Sequence, residues 1–192
     1  MKNIGTIELE TNRLLFRKAS TSDSKDMFNN WASDKEVTKY LSWDAYEKEE
    51  NAVSYLKYLE EEYTKNNFYN WIVVSKEDNT PIGTIGAVDI DIKNNTVEIG
   101  YCYGRKWWGK GLATESLKRV IKFFFEEAEV ETIYADHIDA NPASGKVMEK
   151  AGMKYEGIMR KRALNKATKK KADLIYYSIT KEDYFKGNNH EN

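Results

Sequence analysis

Residues 96–128 read TVEIGYCYGRKWWGKGLATESLKRVIKFFFEEA, and this stretch decides the fold. Its first part, Val97–Tyr103, is rich in β-branched and aromatic residues, which is typical of a strand. Glycines follow, and from Leu112 onward apolar residues recur at helical spacing. A glycine-containing turn between a strand and a helix presents backbone N–H groups that lack intrahelical partners. Such a turn predicts a phosphate-binding site.

The same turn matches most of a nucleotide-triphosphate P-loop, because Gly104–Lys110 spells G-x-x-x-x-G-K. A P-loop needs Ser or Thr at the next position to hold Mg²⁺, and Gly111 has no side-chain oxygen. This residue argues against a nucleotide triphosphatase. Taken alone, the turn is equally compatible with a structural role in which Trp107 and Trp108 pack beneath it.

Composition predicts one domain over residues 1–192, because the chain has two prolines and no Ser/Gly-rich linker. Thirty basic and 31 acidic residues give a net charge of −1, so nucleic acid and anionic membranes are not expected as direct partners. No segment has the apolar length of a leader or a membrane span. With a single cysteine, Cys102, the chain cannot form an internal disulfide, and we expect a cytoplasmic protein.

Alternation and turn residues predict several further strands around the organising one. Two of them, 69–75 and 82–92, join residues 97–103 through short polar turns, which predicts an antiparallel meander. The remaining predicted strands are 7–18, 132–138, 155–163 and 173–180.

Helices are predicted where apolar residues follow capping signals. Short helices carry Met27, Phe28 and Trp31, and then Val37, while a longer amphipathic helix covers about 47–64. A helix is also predicted from Asn141, as N-cap with proline following, to its end at Gly152. The polar end, residues 186–192, is expected to be a disordered tail.

Three motifs carry a family resemblance. The loop around residues 107–115, WWGKGLATE, resembles the acyl-CoA pyrophosphate loop of the GNAT N-acetyltransferases, Gln/Arg-x-x-Gly-x-Gly/Ala, with Lys106 at the Gln/Arg position. Residues 141–153, NPASGKVMEKAGM, resemble the second GNAT signature, Asn-x-x-Ser-x-x-x-x-Glu-Lys-x-Gly-Met/Phe. Residues 11–17, TNRLLFR, resemble the opening of the branch that acetylates ribosomal-protein N-termini. The resemblance covers about residues 7–184.

The resemblance implies a mixed α/β fold with a splayed, mostly antiparallel central sheet and helices on both faces. In the splay, the strand 97–103 parts from the strand that carries His137, and an amide-bearing pantetheine arm satisfies the unpaired backbone groups. Acetyl-CoA is then the co-substrate and no metal is required. The residues implied in binding it are Cys102, Tyr103, Lys106, Trp108, Gly109, Lys110, Gly111, Ala113, Thr114, Asn141 and Ser144.

Acetyl transfer needs a neutral amine, an oxyanion donor and a proton for the departing thiolate. The expected oxyanion donor is the backbone N–H near Cys102, and the candidate bases are Glu98 and His137, with Asp136 as a further option. Many GNAT enzymes carry tyrosine as proton donor four residues after the position of Ser144, where this chain has Met148. Ser144 is therefore the candidate donor, and a role as a cofactor contact alone stays open.

In the resembled family, the helical region that carries Trp43 and Tyr46 borders the acceptor site, so these two are candidate pocket residues beside the alternative of core packing. An α-amine with a pKa near 8 needs less help from a base than a lysine near 10.4, which favours a protein N-terminus. The leading hypothesis is an N-acetyltransferase of ribosomal-protein N-termini, with a homodimer left open. The alternatives are acetylation of a small amine (polyamine, amino acid or antibiotic) and a catalytically weak acyl-CoA sensor.

Overall fold

The computed structural model describes residues 1–188 and contains one open, eight-stranded sheet with helices on both sides. The strands are β1 (Leu9–Glu10), β2 (Leu14–Arg17), β3 (Asn70–Ser75), β4 (Thr80–Asp91), β5 (Thr96–Tyr103), β6 (Thr132–Ile138), β7 (Lys154–Asn165) and β8 (Lys170–Thr180). The α-helices are α1 (Ser24–Met27), α2 (Lys35–Thr38), α3 (Glu49–Glu62), α4 (Leu112–Glu126), α5 (Pro142–Lys150) and α6 (Lys181–Asn188).

The strand order is β1-β2-β3-β4-β5-β6-β8-β7. Every neighbouring pair is antiparallel except β5 and β6, which run parallel. The connection between these two strands is α4, as parallel strands require a crossover. The predicted α/β class, the antiparallel meander β3-β4-β5 and the mostly antiparallel sheet are confirmed.

Two hydrophobic clusters fill the two faces of the sheet, and β3 contributes to both. Trp71 and Val73 belong to the cluster that includes the buried side of α4, whereas Ile72 and Val74 belong to the cluster that includes α1 and α3. Successive strand residues point to opposite faces, so a central strand covered on both sides is continuously apolar. Helices on both faces are thereby confirmed.

Helix α4 is the longest helix and fixes the turn that precedes it. It begins at Leu112, directly after Gly111, and buries eight side chains along its length. Phe123 packs edge-on against Trp71 with ring centroids 5.3 Å apart, a favourable aromatic geometry. Because this core anchors the helix, the position of its N-terminus is set by packing.

Three local expectations differ from the structure. The predicted strand 7–18 is two short strands, because Thr11 closes a turn in which its backbone N–H donates to the Leu14 carbonyl at 2.9 Å. The helical segment with Phe28 and Trp31 ends in a π-helical turn, Phe28–Ala32. Helix α6 was not predicted, and it extends to Asn188. The remainder of the expected tail, residues 189–192, lies outside the described residues.

Within residues 1–188, none of the helices combines the length and apolar character that crossing a membrane requires. The organisation of the whole chain as a single domain stays a prediction.

Candidate active site

Strands β5 and β6 form a splay in the middle of the sheet. They pair only from Thr96↔Thr132 to Glu98↔Tyr134, after which β5 continues beside β4 and β6 continues beside β8. The backbone of β5 from Ile99 to Tyr103 therefore has no pairing with β6. Such an edge offers unpaired N–H and C=O groups to an amide-bearing ligand.

The glycine loop ends the same edge. After a 3₁₀ turn at Arg105–Trp107, Gly109 and Gly111 adopt φ angles of 72° and 76°, which side-chain-bearing residues rarely adopt. Gly111 is the N-cap of α4 and provides no capping side chain. The first-turn N–H groups of α4 consequently remain available for an external acceptor, and the loop is exposed, as a phosphate-binding turn requires.

The two tryptophans of the loop have different environments. Trp107 is buried in the core, while Trp108 is half exposed and its indole N–H donates to the Tyr103 carbonyl at 2.7 Å. The ammonium of Lys106 lies 5.1 Å from the centroid of one Trp107 ring. Trp108 thus pins the end of β5 to the loop. The other predicted cofactor residues here are exposed (Lys106, Gly109, Lys110, Gly111) or half-buried (Ala113, Thr114).

A brace that the sequence did not reveal holds this loop. Glu115 accepts hydrogen bonds from the Thr11 hydroxyl at 2.6 Å and from Arg13 Nε at 2.7 Å, and Arg13 also donates to the Lys110 carbonyl at 3.1 Å. The β1–β2 turn is therefore tied to α4 and to the loop itself. Residues 11–17, the motif that resembles the N-terminal acetyltransferase branch, supply both bracing side chains, Thr11 and Arg13. Beside it lies a cleft of about 580 Å³, whose lining includes Arg13, Lys76, Lys106 and Lys110.

Ser144 lies in the first turns of α5 and meets β5 across the splay. The Tyr101 hydroxyl is 2.8 Å from Ser144 Oγ and 3.1 Å from the Ser144 carbonyl oxygen. Burial raises the pKa of Tyr101, so its hydroxyl stays protonated and can act as a donor. Met148, at the position where the wider family carries tyrosine, is buried. Tyr101 was not among the predicted site residues, since nothing in its strand pattern marks it.

The predicted capping role of Asn141 requires a correction. Asn141 occupies the N-cap position of α5, with Pro142 following as expected, but its side chain makes no capping hydrogen bond. The backbone at Asn141, with φ −118° and ψ 62°, departs from the extended conformation that a capping side chain prefers. Its amide is thus not committed to the helix.

An acidic pair lies on the face of the sheet opposite α4. Val97 and Ile99 belong to the α4-side core, so the side chain of Glu98 between them points to the other face. Burial, followed by the nearby Asp136 carboxylate, raises the pKa of Glu98, while a hydrogen bond with Tyr134 opposes the shift. Burial also raises the pKa of Asp136, against a hydrogen bond with Tyr176. Both carboxyl groups are poised to take up a proton more readily than a solvated carboxylate.

His137 points away from this pair. Its Nδ1 lies 2.8 Å from the Ile138 carbonyl, its ring stacks on Tyr177, and its Nε2 faces Gly145 of α5. A carbonyl only accepts, so Nδ1 carries the hydrogen. The side chain is buried beneath α5. The role of His137 as a base stays a prediction. Glu98 and Asp136 face outward, so the geometry favours these two as bases for an incoming amine.

The candidate pocket residues Trp43 and Tyr46 lie on the outward face. Their ring centroids are 5.4 Å apart, and both pack at the margin of the α1–α3 cluster together with Cys102. Burial raises the pKa of the Cys102 thiol to about 12, which makes it a poor nucleophile. The structure therefore brings Cys102, the two aromatic side chains and Glu98 to one side of the sheet.

The raised pKa of Glu98 predicts a pH-dependent stability difference for Glu98→Gln. When the pKa of a carboxyl group is higher in the folded than in the unfolded state, the folded protein loses stability as pH rises through the folded-state pKa. We expect Glu98→Gln to be more stable than the parent at pH 8, with the difference shrinking toward pH 4. Urea unfolding at both pH values measures this, with exposed Glu47→Gln as control. If the Glu98→Gln protein is less stable than the parent at pH 8, the predicted desolvation cost is contradicted.

No group of three His, Cys, Asp or Glu side chains is arranged to hold a metal ion in the part of the chain that the structure covers.

Comparisons with known proteins agree with this geometry. Residues 13–154 match the family model described as an acetyltransferase (GNAT) domain. An uncharacterised N-acetyltransferase, p20 of Bacillus licheniformis, is 30% identical over 176 residues, which cover 92% of this chain and 97% of that protein.

Solved structures give the same result. A GNAT-family acetyltransferase from Bacillus anthracis has a TM-score of 0.79 at 27% identity, covering 92% of this chain and 99% of the other. The ribosomal-protein-S5-alanine acetyltransferase from Vibrio fischeri has a TM-score of 0.80 at 21% identity, covering 92% and 98%. The second likeness shows the fold alone.

Proposed function

Because this chain belongs to the GNAT acetyltransferase family, and is thus an acetyl-CoA-dependent N-acetyltransferase, we propose that its acceptor is the α-amine at a protein N-terminus, such as that of a ribosomal protein. The observation that carries the proposal is the half-buried pair Glu98 and Asp136 on the outward face of the splay. A carboxylate with a raised pKa is a suitable base for an α-ammonium group, whose pKa is near 8. For a lysine near 10.4, the deprotonation costs roughly 3 kcal/mol more.

The cofactor is assigned to the splay and the glycine loop. The free edge of β5 around Cys102 and Tyr103, in particular the Tyr103 N–H, would pair with its amide groups, and Asn141 would approach the arm from α5. The first turn of α4, with Ala113 and Thr114, would hold the diphosphate beside Lys106, Trp108 and Lys110. When bound, acetyl-CoA supplies the acetyl thioester.

Glu98 and Ser144 have opposite roles in the proton transfers, as base and acid. Glu98, directly or through water, removes a proton from the acceptor ammonium, and the neutral nitrogen attacks the thioester carbonyl carbon. A backbone N–H of β5 near Cys102 would stabilise the oxyanion. As the C–S bond breaks, Ser144 would donate its hydroxyl hydrogen to the sulfur. The attacking nitrogen would lose its second proton, which returns through water to the Ser144 oxygen, so that the amide, the thiol and the serine all end neutral, and Glu98 releases the first proton to solvent.

Tyr101 has one hydroxyl hydrogen and can give it either to the Ser144 carbonyl oxygen at 3.1 Å or to Ser144 Oγ at 2.8 Å. When the hydrogen goes to Oγ, the serine keeps its own hydrogen for the sulfur. The same phenol stabilises the serine oxygen once that hydrogen has left. Tyr101 acts through Ser144 and is therefore a positioning residue.

Two further observations support a protein acceptor. The β1–β2 turn that braces the loop resembles the N-terminal acetyltransferase branch, and a structural neighbour carries the name of a ribosomal-protein-alanine acetyltransferase. A polyamine acceptor is the second candidate, because the carboxylates Glu98 and Asp136 with the rings of Trp43 and Tyr46 also suit a cationic small molecule.

An acceptor panel tests the proposal. Peptides beginning with Ala, Ser, Thr or Met, the same peptides with a blocked α-amine and an internal lysine, and spermidine are compared by thiol release near pH 7. We expect α-amine peptides to exceed lysine peptides in kcat/KM by about a hundredfold, from the difference in amine pKa. Equal rates on both amines, or a marked preference for spermidine, would overturn the assignment to a protein N-terminus.

A further inference from the structure

A basic segment lies at the tip of the β7–β8 hairpin. Residues 160–171 contain seven Lys or Arg side chains and no acidic residue, whereas the whole chain has a net charge of −1. Six of these cations are exposed and form no salt bridge within residues 1–188: Arg160, Lys161, Arg162, Lys169, Lys170 and Lys171. Such a concentration of unpaired charge creates a local positive potential.

The seventh cation shows where the hairpin lies. Lys166 is mostly buried, forms a salt bridge of 3.0 Å with Asp44, and donates a hydrogen bond to the Trp43 carbonyl. The hairpin tip therefore rests on the segment that carries the pocket residues Trp43 and Tyr46. If the basic segment were only a solvated turn, no contact of Lys166 with Asp44 and Trp43 would be expected.

The base of the hairpin reaches the acidic pair. Tyr176 of β8 lies directly beside Asp136 in the register of β6 and β8. Burial, followed by the charges of Asp136 and Glu98, raises the pKa of Tyr176. From Tyr176 to Lys170 the strand spans six residues, or about 20 Å at the usual rise. The carboxylates thus lie beside the inner end of this strand face, and Lys170 lies at the outer end of the same face, next to the other cations of the turn.

This order of charges fits an extended polypeptide whose terminal ammonium group is followed by acidic side chains. Resting on the proposed function, we propose that the basic hairpin, defined as residues 160–171, binds acidic residues at about positions 3–8 of the acceptor protein. An extended chain of that length spans the distance from the acidic pair to the hairpin tip. Opposite charges at both ends fix the direction in which the acceptor enters and raise its association rate.

A nucleic acid would match the cations but not the carboxylates behind them. Glu98 and Asp136 lie at the inner end of the same surface and repel phosphate groups. The overall net charge of −1 also gives no general attraction to a polyanion. An acidic polypeptide is therefore the favoured partner, and RNA is an outcome for the experiment to exclude.

The test uses three decapeptides with the same first two residues, and with acidic, amide or lysine side chains at positions 3–8. We expect the acidic peptide to exceed the amide peptide in kcat/KM by about tenfold at low salt, with the difference declining toward 0.5 M salt as charges are screened. The variant Lys169→Glu/Lys170→Glu/Lys171→Glu should lose this preference. The control Lys25→Glu/Lys57→Glu/Lys122→Glu changes the net charge equally on exposed helical positions and should keep it.

The outcomes separate the inference from the function on which it rests. Equal kcat/KM for the three peptides, or an unchanged preference in the hairpin variant, overturns the basic hairpin as an acceptor surface while leaving N-terminal acetylation intact. Loss of binding to a 20-nucleotide RNA without any change in peptide kinetics assigns the surface to nucleic acid and overturns the proposal. Rapid acetylation of spermidine with no peptide turnover overturns both.

Discussion

Gly111→Val should abolish acetyl-CoA binding at micromolar concentrations. Gly111 has a φ of 76°, and a β-branched residue in that conformation costs about 1–3 kcal/mol or distorts the loop. The next N–H groups begin α4, so a distorted loop no longer presents them together. Calorimetric titration should show a weakening of about a hundredfold or more, the equivalent of about 3 kcal/mol.

Two companion variants identify the cause. A Cβ at Gly111 would meet only Arg13, at 3.7 Å, so backbone conformation and not crowding within the protein is the expected reason for the loss. Gly111→Asn should retain more binding than Gly111→Val, because asparagine tolerates the left-handed region. Gly187→Val in α6, where a side chain has open space, should bind normally. If Gly111→Val binds CoA as tightly as the parent, the assignment of the loop is wrong.

Ser144→Ala should lower kcat by about a hundredfold, the low end of general-acid catalysis, because a thiolate is already a tolerable leaving group. KM for acetyl-CoA should change little, since the hydroxyl acts as charge develops on sulfur. Tyr101→Phe should lower kcat by about tenfold, the effect of one net hydrogen bond. The double variant should be no slower than Ser144→Ala, because Tyr101 acts only through the serine.

A matched control distinguishes this coupling from a general loosening of α5. The Tyr177 hydroxyl donates to Glu149 of the same helix at 3.0 Å and, within residues 1–188, makes no hydrogen bond with Ser144. Tyr177→Phe should therefore leave kcat nearly unchanged while lowering stability slightly. Multiplicative losses in the double variant would show that Tyr101 does not act through Ser144. A raised KM with unchanged kcat for Ser144→Ala would reduce the serine to a cofactor contact.

Local sequence determined the elements from which the site is built. The strand 97–103, the glycine loop and the helix from Leu112 follow from residue preference, glycine positions and apolar spacing, all of which act over a few neighbouring residues. The limits of α5 follow equally from Pro142 and Gly152. In the absence of Ser or Thr at 111, the sequence also argued against a nucleotide triphosphatase.

Tertiary structure decided which side chains meet, because each decisive contact joins residues far apart in the chain. Tyr101 reaches Ser144 only because β5 leaves β6 and α5 crosses the gap. Glu98 and His137, which were equivalent as sequence candidates, separate because alternation along their strands turns them to opposite faces. The basic run 160–171 acquires a location only when Lys166 contacts Asp44, 122 positions away. Patterns of spacing encode which face a residue takes within its own element, whereas pairing between elements depends on the packing of the whole sheet.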